Sequence, residues 1–296
     1  MSRRGTMGLV ALLLCVLQVS GALAASFDDA GVLRLVNRDE TITKNYKPDD
    51  LVLPAVETNK KSQKEKIYMR PAAARALEEM FAAAKNEAGY NLLAVSGYRS
   101  FGEQQLMFKN KVAAVGSKEK AWRKVAPAGA SEHQLGLAMD IVSDQFRNLN
   151  SGFGETDEGK WLYANCHRFG FIVRYRKEWE DITGYAAEPW HFRYLGVSHA
   201  CAVQWLNVPY ETYAHQAMEL PEFVLEKGNA YLLYALMDSA LNGDGCLFDD
   251  MCNSNYQTEA EQDAAIREMT SYCLPDGVTL EMALNNEVLP NVVPAR

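Results

Sequence analysis

The stretch SEHQLGLAMD, residues 131–140, decides the interpretation of this sequence because it joins a polar loop to a predicted strand. Residues 137–142 form a short, mostly apolar run, which predicts that strand. Gly136 separates this run from His133, which therefore lies in a turn seven residues before Asp140. A histidine from a turn and an aspartate from the strand that follows it can converge on one metal ion.

Two further stretches place polar groups at strands or strand edges. They are SGYRS at residues 96–100 and EPWHFRY at residues 188–194. His191 offers a third metal ligand, and a zinc hydrolase typically uses three protein ligands and leaves one position for water. Glu188 lies three residues before His191, with Pro189 fixing the connection. At that spacing a carboxylate could reach a metal-bound water without binding the metal itself.

Each of these residues also has a structural explanation when it is taken alone. Asp140 could pair with an arginine, Glu188 could be a surface carboxylate, and Trp190 could be a packing residue. The other histidines of the chain are expected to be hydrogen-bonded structural residues; these are His167, His199 and His215.

Hydrophobic periodicity predicts short helices interrupted by an antiparallel sheet, which is the pattern of a single α+β domain ending near residue 213. The predicted helices are 71–89, 101–115 and 157–168, with 222–241 and 258–273 in the tail. The predicted strands are 32–36, 92–96, 137–142, 169–174 and 192–195. A polar connection is expected between Gly116 and Gly129.

Taken together and in this order, the three stretches resemble the VanY-type D-alanyl-D-alanine carboxypeptidases. These are zinc peptidases, grouped with the D-alanyl-D-alanine dipeptidases and the hedgehog-like fold. The family pattern is S-G-Y-R-S, then S-x-H-x-x-G-x-A-x-D, then E-x-W-H, and the sequence meets all three. The resemblance runs from about Leu33 to Tyr213 and does not cover the tail from residue 214. It implies an α+β fold with a small central antiparallel sheet flanked by helices, to which we expect the tail to add a helical appendage.

The resemblance also implies a role for each motif residue. One Zn²⁺ ion would be bound by His133, Asp140 and His191. Glu188 would take a proton from the attacking water, and Arg99 would stabilise the oxyanion or orient the scissile carbonyl. The terminal carboxylate of the substrate would be recognised by Ser131 and by Gln105, which has Gln104 beside it. The remaining expected substrate contacts are Tyr98 and Trp190.

The substrate implied by the resemblance is a peptidoglycan stem peptide that ends in D-alanine. An L,D-carboxypeptidase or an endopeptidase of the same fold would keep the same metal ligands and Arg99, so both stay open. A dipeptidase is less favoured because nothing in the sequence marks a pocket for a free amine. A non-catalytic cell-wall-binding module is a further alternative, but both Glu188 and Arg99 are present.

The N-terminus predicts export. Two arginines precede an apolar run at residues 7–19, and Ala22-Leu23-Ala24 fits a signal-peptidase site, so residues 1–24 are expected to be a signal peptide. An uncleaved anchor or a lipoprotein made through Cys15 fits this stretch less well. No later stretch is apolar enough for a bilayer, so we expect a periplasmic, cell-envelope or secreted protein. The expected organisation is a signal peptide at 1–24, a peptidase domain at 25–213 and a helical extension at 214–296.

Charge and cysteine content limit the remaining possibilities. The chain has a net charge of −8, and about −10 after removal of residues 1–24, which argues against nucleic acid as a partner. Five cysteines remain after cleavage, so at least one is unpaired; Cys166 with Cys201 and Cys246 with Cys252 could form disulfides. The acidic turn that begins at Asn242 lacks the glycine of an EF-hand and is read as an ordinary loop. The oligomeric state is left open.

Overall fold

The computed structural model describes residues 31–59 and 67–288, together with Val292 and Pro294. The predicted signal peptide, residues 1–24, lies outside the described residues. Within them, no helix has the length and apolar character needed to span a bilayer.

A four-stranded antiparallel sheet forms the centre of the protein. Its strands are β1 (Leu92–Ser96), β2 (Ala138–Ser143), β3 (Phe171–Tyr175) and β4 (Glu188–Tyr194), in the spatial order β1-β2-β4-β3. The sequence predicted all four. β4 begins four residues earlier than expected, and it therefore carries Glu188 as well as His191. In the pairing of β2 with β4, Asp140 lies directly opposite His191.

Twelve α-helices are found in the described part of the chain. They are α1 (Pro71–Ala88), α2 (Phe101–Val115), α3 (Lys118–Trp122), α4 (Asp157–Asn165), α5 (Glu180–Thr183), α6 (Val197–Leu206), α7 (Tyr210–Ala217), α8 (Glu222–Lys227), α9 (Ala230–Asn242), α10 (Cys246–Asn253), α11 (Glu259–Cys273) and α12 (Leu280–Leu284). The predicted helices are confirmed, except that the one expected at 222–241 is divided into α8 and α9. The short α3 lies in a stretch that was expected to be only a connection.

Helix α1 shows why the periodicity was informative. Pro71 occupies its first turn, where a missing N–H costs nothing, and Gly89 ends it with a φ of 76°. Leu77, Met80 and Ala84 lie on one face and are fully buried. They pack into a core shared with the strands of the sheet. The apolar stripe read from the sequence is therefore the face that holds α1 on the sheet.

A second core lies among the C-terminal helices. Its members include Val203, Tyr213, Ala217 and Leu233, all fully buried, and Ile172 of β3 also packs in it. Residues on both sides of position 213 thus share one apolar cluster. The division into domains at this position stays a prediction.

The strand predicted at Val32–Val36 is wrong, because these residues adopt an irregular conformation. Their carbonyl groups are used by side chains instead of by a neighbouring strand. Arg193 donates hydrogen bonds to the carbonyl oxygens of Val32 and Arg34, both at 2.8 Å. The hydroxyl of Tyr210 donates to the carbonyl oxygen of Leu33 at 2.5 Å. Leu33, Leu35 and Val36 are buried, which is why the sequence resembles a strand here.

The five cysteines in the described part of the chain carry free thiols, so neither suggested pair is bridged. Cys166 and Cys201 are fully buried, and the thiol of Cys201 points to the carbonyl oxygen of His167 at 3.6 Å. Cys246 is exposed at the start of α10.

Candidate active site

A cleft of about 720 Å³ is lined in part by residues of the two central strands, β2 and β4. It brings together residues from distant parts of the sequence. Those that the sequence analysis singled out are Arg99, Ser131, His133, Asp140, Glu188, Trp190 and His191. The three separate motifs therefore form one site.

Three buried side chains in this cleft can hold a metal ion. Asp140 Oδ1 lies 3.4 Å from His133 Nε2 and 3.3 Å from His191 Nδ1. One ligand atom from each residue lies within 4.8 Å of the others. Two imidazole nitrogens and one carboxylate oxygen form the donor set of an open zinc site.

The position of His133 depends on a tight turn. His133 lies in a 3₁₀ helix, Glu132–Leu135, which ends at Gly136 with a φ of 68°. A side chain at position 136 would be strained by this φ, and its Cβ would lie 2.7 Å from a methyl carbon of Leu51. The turn leads directly into β2, so that Asp140 faces back toward His133.

The second nitrogen of each histidine has a partner that the sequence did not reveal. His133 Nδ1 lies 2.7 Å from the carbonyl oxygen of Gly97, which can only accept a hydrogen bond. His191 Nε2 lies 3.3 Å from a carboxylate oxygen of Glu132. These contacts leave His133 Nε2 and His191 Nδ1 as the nitrogens that face Asp140.

The pKa values of the two histidines are shifted in opposite directions. Burial and the nearby charge of Arg99 lower the pKa of His133 to about 4. Burial also disfavours the charged form of His191, but the nearby carboxylates of Asp140 and Glu132 outweigh it and raise the pKa to about 9. For Asp140, burial opposes ionisation, yet the two histidines hold its pKa below the ordinary value.

Two buried atoms of this group have no hydrogen-bond partner among the described residues. They are His133 Nε2 and Asp140 Oδ1. A buried polar atom without a partner costs about 1–3 kcal/mol, so a native site normally provides one. The two atoms face each other from different elements, and a metal ion between them and His191 would satisfy both.

Glu188 is placed beside the metal group but is not part of it. Its Oε2 lies 3.9 Å from His191 Nδ1. Burial raises the pKa of Glu188 to about 7, with Asp140 adding to the rise and both His191 and Arg99 opposing it. A carboxylate with a pKa near neutrality is suited to accept and return a proton.

Arg99 also lines the cleft. Its backbone N–H donates to the carbonyl oxygen of His133 at 3.1 Å, which ties the SGYRS segment to the metal group. Its Nε is buried and makes no hydrogen bond with the described residues, and Nη1 lies 3.2 Å from the sulfur of Met107. Burial lowers the pKa of the guanidinium, which still carries its charge at neutral pH.

One residue expected to contact the substrate lies outside the cleft. Gln105 is exposed and does not line the cleft, whereas Gln104 is buried and does. Both residues are on α2, where neighbouring side chains point about 100° apart, so only one of them can face the cleft. The amide nitrogen of Gln104 donates to the carbonyl oxygen of Ala126 at 2.6 Å, and its Oε1 is buried without a partner in the described residues.

The other expected contacts divide between two cavities. Ser131 and Trp190 line the metal cleft. Tyr98 lines a neighbouring cavity of about 950 Å³, which shares Arg99 and Met107 with the cleft. Tyr98 therefore does not face the metal group.

A set of buried charged and aromatic residues behind the histidines was not predicted from the sequence. It comprises Glu132, Arg174, Tyr175, Arg193 and Glu211. Glu132 was inside the quoted motif but received no role. The available signal was an arginine inside each of two buried strands, FIVRY and EPWHFRY, because a buried arginine needs an anionic partner.

Comparisons with known proteins give the family. The model of the VanY D-alanyl-D-alanine carboxypeptidase family matches residues 66–197. The putative carboxypeptidase YodJ of Bacillus subtilis is 46% identical over 190 residues, covering 64% of this chain and 69% of the relative. A D-alanyl-D-alanine carboxypeptidase of Enterococcus faecalis is 35% identical over 189 residues, covering 61% of this chain and 65% of that protein. The chain thus spans about two thirds of the length of each.

Solved structures agree with this match. The LD-carboxypeptidase LdcB is 47% identical with a TM-score of 0.60, covering 63% of this chain and 87% of LdcB. VanYB in complex with D-alanine-D-alanine is 32% identical with a TM-score of 0.53, covering 62% of this chain and 97% of VanYB. A mutant VanY D,D-pentapeptidase in complex with Zn(II) is 33% identical with a TM-score of 0.51, covering 61% of this chain and 97% of the pentapeptidase. With the extent of these matches and the cleft geometry, the chain belongs to the VanY family of carboxypeptidases.

Proposed function

We propose that this protein is a zinc-dependent carboxypeptidase that removes the terminal D-alanine from peptidoglycan stem peptides. The observation that carries the proposal is the buried group of His133, Asp140 and His191 with Glu188 beside it in an open cleft. Such a group combines metal ligands with a carboxylate of raised pKa. The relatives named above supply the class of substrate.

His133, Asp140 and His191 would hold the zinc ion. Zinc in such a site acidifies a water molecule and polarises the carbonyl of the scissile peptide bond. The metal-facing nitrogens are already selected by the hydrogen bonds to Gly97 and Glu132, so binding requires no rotation of either ring. Asp140 is ionised across the neutral range because its pKa lies below the ordinary value.

Glu188 would accept the proton of the attacking water and return it to the amino group of the departing D-alanine. Glu188 Oε2 lies 3.9 Å from His191 Nδ1, beside the residues that would hold the metal, and it is not one of them. Burial keeps the proton affinity of the carboxylate high enough for the first transfer.

The other groups of the cleft would orient the peptide. Arg99 would donate to the oxygen on which negative charge develops. Ser131 and Gln104 would face the terminal carboxylate, because both line the cleft and both carry hydrogen-bond donors. The donors are the hydroxyl of Ser131 and the amide hydrogen of Gln104 that is not bonded to Ala126. Trp190 would contribute an apolar wall.

Export and the domain organisation are part of the same proposal. Peptidoglycan lies outside the cytoplasm, and the N-terminal residues have the charge and apolar pattern of a signal peptide. We therefore propose that residues 1–24 direct export to the periplasm or cell envelope. The peptidase domain would comprise residues 25–213, followed by the helical extension 214–296.

An L,D-carboxypeptidase is the second candidate, and the sequence identities favour it. The LD-carboxypeptidase LdcB is 47% identical to this chain, whereas the VanY D,D-pentapeptidase and the Enterococcus faecalis D-alanyl-D-alanine carboxypeptidase are 33% and 35% identical. Both activities need the same metal group and differ in the residue that precedes the terminal D-alanine.

The experiment is a competition between two muropeptides. Zinc-loaded mature protein is incubated with an equimolar mixture of a pentapeptide ending in D-Ala-D-Ala and a tetrapeptide ending in L-Lys-D-Ala, and the products are followed by mass spectrometry. Faster loss of D-alanine from the pentapeptide supports the proposal. Faster loss from the tetrapeptide establishes the L,D activity. In a separate incubation with cross-linked dimers, cleavage of the cross-link establishes an endopeptidase. No cleavage of any substrate by zinc-loaded protein rejects an enzymatic role and favours a binding module.

A further inference from the structure

A buried cluster of four charges lies directly behind His191. It consists of Glu132, Arg174, Arg193 and Glu211, and we refer to it as the charge cluster. Both arginine side chains are fully buried, and the two glutamates are nearly so. Ionised groups at this depth are costly unless each one is paired and hydrogen-bonded.

Glu132 is the member of the charge cluster that contacts the metal group. One of its carboxylate oxygens faces His191 Nε2 at 3.3 Å. The other accepts hydrogen bonds from Arg174 Nε at 2.8 Å and from Arg193 Nη1 at 3.1 Å. The two charged guanidiniums paired with Glu132 favour its ionised form, in which both oxygens can only accept hydrogen bonds. Glu132 is thus fixed as an acceptor for an N–H on His191.

Glu211 completes the charge cluster from the other side. Its two oxygens accept hydrogen bonds from Arg174 Nη1 at 2.8 Å and Nη2 at 2.6 Å, in a bidentate pair. Without Glu211 the cluster would hold two guanidiniums and one carboxylate. With it, the charges balance, and Glu132 keeps an oxygen for His191.

The helix that supplies Glu211 also closes the charge cluster with an aromatic ring. Glu211 and Tyr210 are the first two residues of α7. The guanidinium carbons of Arg174 and Arg193 each lie 5.5 Å from the centre of the Tyr210 ring. Both residues lie beyond residue 197, where the family match ends.

We propose that Glu211 is a positioning residue for the active site and that it acts through Arg174 and Glu132 to orient the ring of His191. The oriented ring directs Nε2–H to Glu132 and Nδ1 to the metal. Helix α7 is therefore part of the framework of the metal group. The inference rests on the metal site of the proposed function, but not on the peptide that is cleaved.

The first test uses the wild-type protein and reads the histidine rings directly. The chain has five histidines, so ¹⁵N-histidine labelling and long-range ¹H–¹⁵N spectra of zinc-loaded protein can be assigned with single substitutions. We expect His191 to bind zinc through Nδ1 with a proton on Nε2, and His133 to show the opposite arrangement. Binding of zinc through Nε2 of His191, or no zinc binding at all, would overturn the inference.

The second test measures zinc affinity by competition with a chromophoric chelator. We expect Glu132→Gln to weaken binding about 10- to 100-fold, and Glu211→Gln about tenfold, the lower end of the range for residues that support metal ligands. Leu233→Ala is the control, because Leu233 is fully buried in the helical core and does not belong to the charge cluster. It should lower the melting temperature without changing zinc affinity.

A charge-restoring variant separates positioning from loss of structure. Arg174→Gln combined with Glu211→Gln keeps the charges balanced, so it should bind zinc more tightly than Glu211→Gln alone. The inference fails if Glu211→Gln binds zinc like the wild type, or if Leu233→Ala weakens zinc binding as much. If Glu211→Gln does not fold, the double variant and the histidine spectra decide. Zinc-loaded protein with the expected His191 spectrum but no D-alanine release would reject the proposed function and leave this inference standing.

Discussion

His191 in the cleft and His199 in the helical region are buried to the same degree, with 4% and 5% of their surfaces exposed, yet they behave in opposite ways. The pKa of His191 is raised to about 9, whereas burial lowers that of His199 to about 4. His191 lies between two carboxylates, Asp140 and Glu132. His199 lies between two neutral groups, the hydroxyl of Tyr213 at 2.7 Å and the carbonyl oxygen of Leu225 at 2.8 Å.

The difference shows that partners, and not burial, separate a metal-binding histidine from a structural one. In His199 one nitrogen donates to the carbonyl of Leu225, and the other accepts from Tyr213, so neither is available for a metal. In His191 only Nε2 is committed, and Nδ1 faces a second potential ligand. The two histidines therefore make a matched pair for experiments.

The largest effect on activity is expected when Glu188, the carboxylate beside His191, is replaced. Glu188→Gln keeps the size of the side chain but cannot accept a proton, so we expect kcat for D-alanine release to fall about 10²- to 10⁴-fold. Zinc content should stay at the wild-type level, because Glu188 is not among the metal ligands. Measured turnover within a few-fold of the wild type would show that another group is the base.

The next largest effect is expected when His191 is replaced, and His199 serves as its matched control. His191→Ala should weaken zinc binding by more than about 100-fold, since loss of a ligand exceeds the effect of losing a supporting residue. His199→Ala should retain zinc and lower the free energy of unfolding by about 1–3 kcal/mol, because the carbonyl of Leu225 loses its buried partner. Zinc titration and urea unfolding of both variants check this. Equal zinc loss in the two variants would show that His191 and His199 do not differ in metal binding.

The titration of His199 predicts a pH effect on stability. Its folded pKa of about 4 lies below the value of about 6.5 in an unfolded chain, so the unfolded state binds the proton more tightly. The stabilisation is complete above pH 6.5 and is lost as the pH falls toward 4, on the order of 3 kcal/mol in total. In metal-free protein, His199→Gln should flatten the dependence of unfolding free energy on pH in this window. An unchanged slope would contradict the prediction.

The smallest effect concerns two neighbouring glutamines. Gln104→Ala should raise KM for D-alanine-terminated peptides about tenfold, the value of one hydrogen bond to a charged group. Gln105→Ala is the matched control on the exposed side of α2 and should leave KM unchanged. Steady-state kinetics of both variants decide the assignment. A rise in KM for Gln105→Ala alone would restore the original prediction from the sequence.

Much of the fold could be predicted because local sequence determines it. The strands of the sheet are short apolar runs, and α1 has a proline at its start and a glycine at its end. The metal group could be predicted as well, because its three residues lie in motifs whose order matches a known family. Local patterns failed where side chains replaced a strand partner, as at Val32–Val36.

The charge cluster could not be predicted, since its contacts join residues far apart in the chain. Glu132 lies 42 residues from Arg174 and 61 residues from Arg193, while Glu211 lies 37 residues beyond Arg174. No local spacing encodes these pairs. The choice between Gln104 and Gln105 failed for a different reason, because it depends on the rotation of α2 about its axis relative to the cleft.

The most direct test of the central claim is a zinc-edge anomalous diffraction map of crystals grown from zinc-loaded protein. The account predicts one strong peak per chain, about 2.0–2.2 Å from His133 Nε2, an oxygen of Asp140 and His191 Nδ1. No peak in the cleft, or a peak bound by other residues, would contradict it.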